Sequence, residues 1–353
     1  MCSTRAVYDT VEEVELESEE PKVIDLGDLD IKDAKGLFAK IPGQNVMYFI
    51  NEKDGKTYKF TEESGKLKCT ESGDLSKAFL FGDPGFDSNI SCVFFAGDMQ
   101  NPTLHVVIRD PSIKWLMDFY TLNNDQWTKV YSPENLLLSA DAICSTTIQI
   151  EQKLVGCVCA QGNELIGGGK AVKLYFVDQC SQTSTDKLKP IKVKKADGWD
   201  LTSGSLTGIY QVETGKILIG INNSFDLCEV RAKGTKVALE SKDFAKSSTT
   251  LKGGLYAIRD TNNIQPTMSI PIFCCHTKAP SLYTMNAKGD FVPIEYWPFP
   301  VPKHQLVIPF SDAVYVITTR KKPKPEGDTS TTDDEEEDIY YKVKLKGSFI
   351  SNK

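Results

Sequence analysis

Short runs of alternating apolar and polar residues recur along the chain, each followed by a turn and a second run. Three copies align without a gap and carry Lys-Gly at the turn; they begin at Cys228, Tyr283 and Tyr341. Looser copies begin at Tyr58, Phe119 and Tyr175. A period of two predicts half-buried β-strands, and Gly at a turn supplies the positive φ that a tight hairpin needs. The pattern therefore predicts a repeated β-hairpin.

The hairpins are evenly spaced, since their first residues lie 53 to 61 residues apart. Continuous apolar runs upstream, such as residues 209–212, 255–258 and 306–310, are typical of strands buried on both faces. A period of this size, built from strands and turns, predicts an all-β fold: a six-bladed β-propeller of four-stranded antiparallel blades. A pair of β-sandwich domains is the alternative.

The propeller is predicted to span residues 36–353, and two segments differ from it in composition. Residues 1–35 are predicted to be an acidic, partly mobile N-terminal arm, and residues 321–338 a disordered acidic loop inserted into the last blade. The chain ends six residues after Gly347, which predicts that the last blade finishes with its own outer strand. The blades are predicted near residues 36–74, 75–135, 143–196, 205–243, 252–297 and 304–353.

Composition narrows the possible partners and the compartment. The chain has 353 residues, 40% of them hydrophobic, which is ample for a large core. A net charge of −7 argues against an extended nucleic-acid surface. No apolar run approaches the ~20 residues of a membrane span. Ten cysteines are too few for a disulfide scaffold, and several lie in apolar strands, so a cytoplasmic protein with free thiols is predicted.

Few residues form a pattern with catalytic or metal-binding chemistry. Cys274, Cys275 and His276 are adjacent in an apolar strand, where alternation leaves at most two ligands on one face. The Gly167–Gly168–Gly169–Lys170 run lacks the spacing and the following Ser or Thr of a phosphate-binding loop, so a flexible loop is favoured. We therefore predict no metal and no cofactor. Enzymatic activity stays open, and the catalytic residues of such an enzyme are unknown.

Two tryptophans lie where a ligand platform is plausible. Trp127 follows the turn of the second hairpin, and Trp199 follows Asp197 and Gly198 in the third predicted blade. Large aromatic rings near blade edges stack against sugars or other apolar surfaces. The alternative is that both rings pack between neighbouring blades as core.

Two segments carry a resemblance to a known family. Residues 172–178 with the later Asp197-Gly198-Trp199, and residues 104–110 with Asp125-Gln126-Trp127, resemble the repeats of the six-bladed fungal fucose-binding lectins. In that family an Arg and a Glu of one blade act with an aromatic residue of its neighbour. The resemblance implies Asp118 and Glu229 at the acid position. The Arg position holds His105 and Lys173, whereas Arg109 and Arg259 fall elsewhere in the repeat.

Together, the repeats and the resemblance predict a cytosolic, lectin-like binding propeller. It would recognise a carbohydrate or a protein partner through inter-blade or axial pockets, with neither nucleic acid nor membrane as a partner. The predicted ligand-binding residues are Trp127, Trp199, Asp118, Glu229 and Lys173. One alternative is an enzyme that acts on a small organic substrate in the axial pocket. Another is a scaffold whose contact elements are the arm and the acidic loop.

Overall fold

Strands dominate the chain, as the alternating pattern predicts. In the computed structural model, every regular element of the described residues is a β-strand apart from a short 3-10 helix, Leu75–Ala78. The all-β prediction is therefore confirmed for these residues. This part of the chain also holds no apolar helix of membrane-spanning length. The structure describes residues 15–32, 34–78, 90–109, 117–130, 138–150, 152–177, 191–192, 204–213, 216–221, 224–233, 236–247, 254–258, 272–276, 281–285, 290–293, 305–310, 313–323 and 335–346.

The strands follow one another in antiparallel units, which we number along the chain. Two short N-terminal strands come first: β1 (Glu15–Ser18) and β2 (Lys22–Val23). The first unit contains β3 (Gly36–Lys40), β4 (Val46–Asn51), β5 (Lys56–Glu63) and β6 (Lys66–Asp74). The second unit contains β7 (Ile90–Asp98), β8 (Thr103–Arg109), β9 (Met117–Asn123) and β10 (Gln126–Val130). The third unit contains β11 (Leu138–Ile150), β12 (Lys153–Glu164), β13 (Lys170–Val177) and β14 (Ile191–Lys192).

The remaining strands continue the same order. The fourth unit contains β15 (Leu206–Glu213), β16 (Lys216–Ile221), β17 (Ser224–Lys233) and β18 (Lys236–Ser247). The fifth unit contains β19 (Gly254–Ile258), β20 (Ile272–His276), β21 (Ser281–Met285) and β22 (Asp290–Pro293). The last unit contains β23 (Leu306–Pro309), β24 (Ala313–Lys321) and β25 (Glu336–Lys346). Short ladders also join β7 to β12 and β18 to β22.

Most of the predicted hairpins are the outer strand pairs of these units. The hairpin that begins at Tyr58 is β5 with β6, and Gly65 at its turn has a φ of 72°. The hairpin that begins at Phe119 is β9 with β10, and Asn124 and Asp125 at its turn have positive φ values of 48° and 59°. The hairpins that begin at Cys228 and Tyr283 are β17 with β18 and β21 with β22, and these four predictions are confirmed. β13 pairs with β14 as well, but through Lys173 and Leu174, which precede the predicted start at Tyr175.

The last unit is completed differently from the prediction. β25 pairs with β24 along one edge, and β1 and β2 pair with its other edge. Because Ser18 lies opposite Val343 and Lys22 opposite Tyr340, the edge of β25 has no room for a C-terminal partner strand. The prediction that the last blade finishes with its own outer strand is therefore wrong. The N-terminal segment of the chain supplies that strand.

Apolar cores lie between the last and first, first and second, second and third, and third and fourth units, so these sheets pack on one another. Residues 24–31 add Ile24, Leu26, Leu29 and Ile31 to the core shared by the last and first units. β15 contacts β19, and β19 contacts β23, so the fourth, fifth and last units are also neighbours. The cores include Phe60 with Phe310 (first and last units), Ile50 with Phe95 (first and second), Phe94 with Tyr175 (second and third), and Leu174 with Ile219 (third and fourth).

The acidic insertion is shorter than the predicted loop of residues 321–338. β24 continues to Lys321, and β25 begins at Glu336, with these two residues paired in the ladder. Beyond the ladder, the Lys322 amide donates to the Glu335 carbonyl over 2.8 Å. Residues 324–334 lie outside the described residues.

Candidate functional site

The candidate site lies at the junction between the second and third units. In β13, Lys173 alternates with Ala171 and Tyr175, which belong to the core that packs on the second unit. Since every second side chain of a strand points to the same face, Lys173 faces the second unit as well. Gly156 of β12 allows close packing here, because a Cβ atom at this position would lie 2.1 Å from Cδ2 of Phe94.

An ion pair within the third unit is the polar centre of this junction. Lys173 Nζ lies 3.3 Å from Oε1 of Glu164, the last residue of β12. The Lys173 side chain is 10% exposed and the Glu164 side chain 24%, so solvent reaches the carboxylate more readily than the ammonium group. Buried charges are costly unless they are paired, and this pairing holds both side chains in place. The pair presents a fixed acceptor beside a fixed donor.

Arg109 links the second unit to β11 of the third unit. It is the last residue of β8, and its Nη1 donates a 2.9 Å hydrogen bond to the Ala140 carbonyl of β11. Ala140 pairs with Gly162 of β12, which lies on the same face of that strand as Glu164. Arg109, Glu164 and Lys173 therefore belong to the same end of the junction. We call these three residues the junction site.

An apolar loop tip lies directly beside the junction site. The hairpin between β12 and β13 carries Leu165 and Ile166, whose exposed fractions are 45% and 84%. Gly167 and Gly168 follow with φ values of 98° and 68°, a backbone conformation that other residues rarely adopt. The Gly-rich run is thus a turn between strands, as predicted, and it projects two aliphatic side chains next to Glu164.

His105 and Tyr175 line the same junction, but in its interior. His105 is 2% exposed, its Nδ1 is 2.9 Å from Oγ1 of Thr121, and its ring stacks on Phe94. Burial lowers the pKa of His105 to about 4, so the imidazole is neutral at physiological pH. Burial also raises the pKa of the Tyr175 hydroxyl above its usual range. Their environments are those of core residues.

Two of the predicted site residues lie in the second unit but far apart on its outer hairpin. Trp127 is 6% exposed and packs in the core between the first and second units, where its Nε1 donates to Thr57 Oγ1 over 3.1 Å. Asp118 lies at the other end of the hairpin and pairs with Lys129, with 2.7 Å between their charged atoms. Trp127 is opposite Leu122, four residues from Asp118, so the structure does not bring the two together.

The other predicted residues are dispersed over two units. Lys173 is in the junction site, in the third unit. Glu229 is in β17 of the fourth unit, opposite Lys216 and Glu240. Trp199 lies outside the described residues. The ligand-binding roles of all five residues stay predictions, and only Lys173 is placed beside other polar groups of the junction site.

Sequence reasoning missed Glu164 and Arg109. Glu164 lies in the run that leads into the predicted flexible loop and was not among the predicted site residues, and Arg109 lies outside the repeat position of the lectin arginine. The hairpin register contains a usable signal for Glu164, because pairing of Asn163 with Lys170 places residues 162, 164, 171 and 173 on one face. No comparable local signal exists for Arg109, since its partner Ala140 belongs to another unit.

Within the part of the chain that the structure describes, no group of three or more His, Cys, Asp or Glu side chains is arranged to hold a metal ion. Among the described residues, Cys69, Cys92, Cys144, Cys157 and Cys159 form no disulfide bond.

The chain is similar to several solved all-β structures. One is an α-L-arabinofuranosidase from Fusarium graminearum in complex with an iminosugar inhibitor, with a TM-score of 0.48 and 10% identity over 92% of this chain and 97% of that chain. Another is the lectin of Aleuria aurantia, a six-bladed β-propeller, with a TM-score of 0.44 and 12% identity over 82% and 90% of the two chains. The same lectin in complex with Fucα1-6GlcNAc has a TM-score of 0.46 and 11% identity, over 81% and 89%.

The fungal fucose-binding lectins that the hairpins resemble are thus among the structural neighbours. No protein-family model and no curated protein matches the chain. With identities of 10% to 12% and TM-scores below 0.5, the ligand of this chain has to be inferred from its own residues.

Proposed function

We propose that the chain is a six-bladed β-propeller that binds a carbohydrate at the junction of its second and third blades. Support for the blade count comes from the units of four strands, the apolar cores between consecutive units and the packing of the last unit on the first. In this proposal residues 36–353 form the propeller, and residues 1–35 form an arm that adds the outer strand of the last blade.

The observation that carries the binding function is the ion pair between Glu164 and Lys173, held at 3.3 Å beside an exposed loop tip. A sugar hydroxyl both donates and accepts hydrogen bonds, so it matches an ammonium group and a carboxylate fixed side by side. The apolar face of a sugar ring would pack against Leu165 and Ile166. Trp199 is the proposed aromatic platform, with Asp118 and Glu229 as the proposed acceptors of further copies of the site.

Binding is favoured over catalysis by the environment of His105, which is buried, neutral and hydrogen-bonded to Thr121. A general base has to reach the proton that it abstracts, and a side chain that is 2% exposed does not meet this condition. We further propose a cytoplasmic location, which is supported by the absence of a disulfide bond at Cys69, Cys92, Cys144, Cys157 and Cys159.

A protein partner is the second candidate, and the exposed loop tip favours it. Ile166 is 84% exposed, and its full burial is worth about 1.5–3 kcal/mol for an aliphatic side chain. A small apolar centre with a charged rim, here Glu164 and Lys173, is also the usual arrangement of a protein interface. In this candidate, the tip enters an apolar pocket of the partner.

The two candidates are separated by glycan-array binding of the full chain and of the variants Glu164→Gln and Lys173→Met. We expect the wild-type protein to be retained on a set of related glycans and both variants to lose at least about tenfold in affinity, which corresponds to one charge-assisted hydrogen bond. The matched control is Lys68→Met, which removes an exposed lysine paired with Glu63 in the first unit.

If both variants are retained as well as the wild-type protein, the glycan site does not lie at the junction. If the wild-type chain binds no glycan, the carbohydrate function is wrong, and the protein-partner candidate remains. Circular dichroism and a thermal unfolding curve for each variant show whether a loss of binding reflects a loss of fold.

A further inference from the structure

Two cysteines face each other across the inner strand pair of the third unit. Cys144 of β11 is directly opposite Cys159 of β12 in the antiparallel ladder. Because paired residues of a ladder share a face, their side chains are direct neighbours. Cys159 is fully buried in the core between the third and fourth units, and Cys144 is half-buried beside it.

This arrangement is close to the geometry of a disulfide bond. Directly opposed residues of an antiparallel pair have Cβ atoms about 4.5–5.5 Å apart. A disulfide needs a Cβ separation of about 3.5–4.5 Å and a Cα separation of about 4.4–6.8 Å. Only a small approach of β11 toward β12 is therefore required, and the two side chains already point to the same face.

We propose that Cys144 and Cys159 form an oxidation site, at which a peroxide converts the two thiols to a cross-strand disulfide. In the first step the Cys144 sulfur attacks the peroxide O–O bond, which yields a sulfenic acid at Cys144 and one water molecule when the oxidant is hydrogen peroxide. In the second step the Cys159 sulfur attacks the Cys144 sulfur, the S–S bond forms and a second water molecule leaves. Two electrons pass from the thiol pair to the peroxide.

The order of the two steps follows from exposure. Cys144 is the more exposed residue of the two, so we assign the first attack to it, and Cys159, opposite it in the ladder, resolves the sulfenic acid. The hydrogen bond with Cys159, together with burial, raises the pKa of the Cys144 thiol. The thiolate is therefore scarce at neutral pH, and oxidation is slow compared with that of an exposed, activated cysteine.

The other described cysteines in strands do not have a thiol directly across the ladder. Cys157 is opposite Thr146, Cys92 is opposite Val107 and Cys69 is opposite Phe60. Cys92 is nevertheless close to Cys144, because the Ser145 hydroxyl bonds the backbone of Val93 in the neighbouring unit. A bond between Cys92 and Cys144 is therefore the competing outcome.

A disulfide at Cys144 would constrain β11, the strand of the third unit whose side chains bond to both the second and the fourth units. Thr147 Oγ1 accepts a hydrogen bond from the Phe95 amide of the second unit, and Thr146 Oγ1 accepts one from the Gln211 amide of the fourth. Both residues lie within three positions of Cys144 in β11. Oxidation therefore ties the inner strand to β12 at the point where side chains connect it to both neighbours.

The test is to oxidise the full chain with hydrogen peroxide, block the remaining thiols with an alkylating reagent and map the bonds by mass spectrometry without reduction. Trypsin cuts after Lys153, so Cys144 and Cys159 fall on different peptides, and fragmentation distinguishes Cys159 from Cys157 on the second one. We expect a linked pair that has lost two hydrogens and that joins Cys144 to Cys159.

The link should disappear in Cys144→Ser and in Cys159→Ser, and persist in the matched controls Cys157→Ser and Cys92→Ser. A link from Cys144 to Cys92 or to Cys157 would overturn the proposal, as would full alkylation of both thiols in urea after peroxide treatment. If Cys159→Ser does not fold, the fragment map of the wild-type chain still decides which sulfur atoms are joined.

Discussion

Lys342 Nζ lies 2.5 Å from Glu62 Oε1, so an ion pair joins the last unit to the first. The two side chains are only 8% and 14% exposed. The Lys342 ammonium group is also 5.3 Å from the ring centroid of Tyr315. The seam between the two ends of the strand array therefore contains charge as well as apolar core.

Replacement of Lys342 by Met should destabilise the fold by about 3–5 kcal/mol, because it leaves the Glu62 carboxylate buried without its cation. Urea denaturation measures the effect. The matched control is Lys344→Met, which breaks the more exposed pair with Glu19 and should cost no more than about 1 kcal/mol. Adding Glu62→Gln to Lys342→Met should restore part of the loss.

The same pair predicts a dependence of stability on pH. Burial opposes ionisation of Glu62, but the hydrogen bond and ion pair with Lys342 outweigh it and hold the pKa of Glu62 below its usual value. A lowered carboxyl pKa contributes stability at neutral pH that is lost as the pH falls below about 4.3. The loss should be smaller in Lys342→Met, and an identical pH profile in both proteins would contradict the assignment.

Replacement of Asp338 by Asn should have the opposite pH dependence. Burial, with the nearby Asp30 carboxylate as a second cause, raises the pKa of Asp338. Ionisation of Asp338 therefore favours the unfolded chain as the pH rises above about 3.9. The variant should be more stable than the wild type at neutral pH, by less than about 1 kcal/mol, and should lose this advantage in acid. The test is to compare the thermal midpoints of the variant and the wild type at neutral pH and in acid.

Leu29→Ala tests whether the N-terminal segment is part of the core. Leu29 is 3% exposed in the core shared by the last and first units, and such truncations cost about 2–5 kcal/mol. Val23→Ala is the matched control, because Val23 is 59% exposed and should change stability by less than about 0.5 kcal/mol. Equal effects of the two substitutions would show that residues 24–31 contribute little to folding.

Trp127→Ala should destabilise the fold by about 3–5 kcal/mol, as truncation of a buried aromatic residue does. Trp127→Phe keeps the ring but removes the hydrogen bond to Thr57, and it should cost about 1–3 kcal/mol. Thr128→Ala, at an exposed neighbouring position, is the control. A stable Trp127→Ala protein that no longer binds its ligand would instead support the platform role.

Deletion of residues 324–334 should leave the thermal midpoint nearly unchanged. The ladder between β24 and β25 continues through Lys321 and Glu336, and closure entropy varies slowly with loop length, by about 0.6 kcal/mol per doubling. A deletion that also removes Glu335 to Glu337 should cost more, because it takes away the partners of Lys322 and Arg320. A large effect of the shorter deletion would mean that the acids bind another surface.

The local elements of this protein follow from its sequence alone. The hairpin from β9 to β10 needs only alternation in two adjacent runs and the residues Asn124 and Asp125, which tolerate a positive φ. Alternation and turn residues likewise predict the strand pairs around Gly65 and in the third, fourth and fifth units. Strands that are adjacent in the chain have few alternative partners, so a short sequence pattern is sufficient to predict that they pair.

Tertiary structure decided how the last unit is completed and which polar groups share a site. Ser18 pairs with Val343 across more than three hundred positions, and no local pattern marks such partners. Likewise, Trp127 is buried because the first unit covers it, and Arg109 reaches the junction site because Ala140 of another unit accepts its hydrogen bond. The alternation of residues along a strand determines on which face of the sheet a side chain lies, whereas the neighbouring sheet determines which residues that side chain contacts.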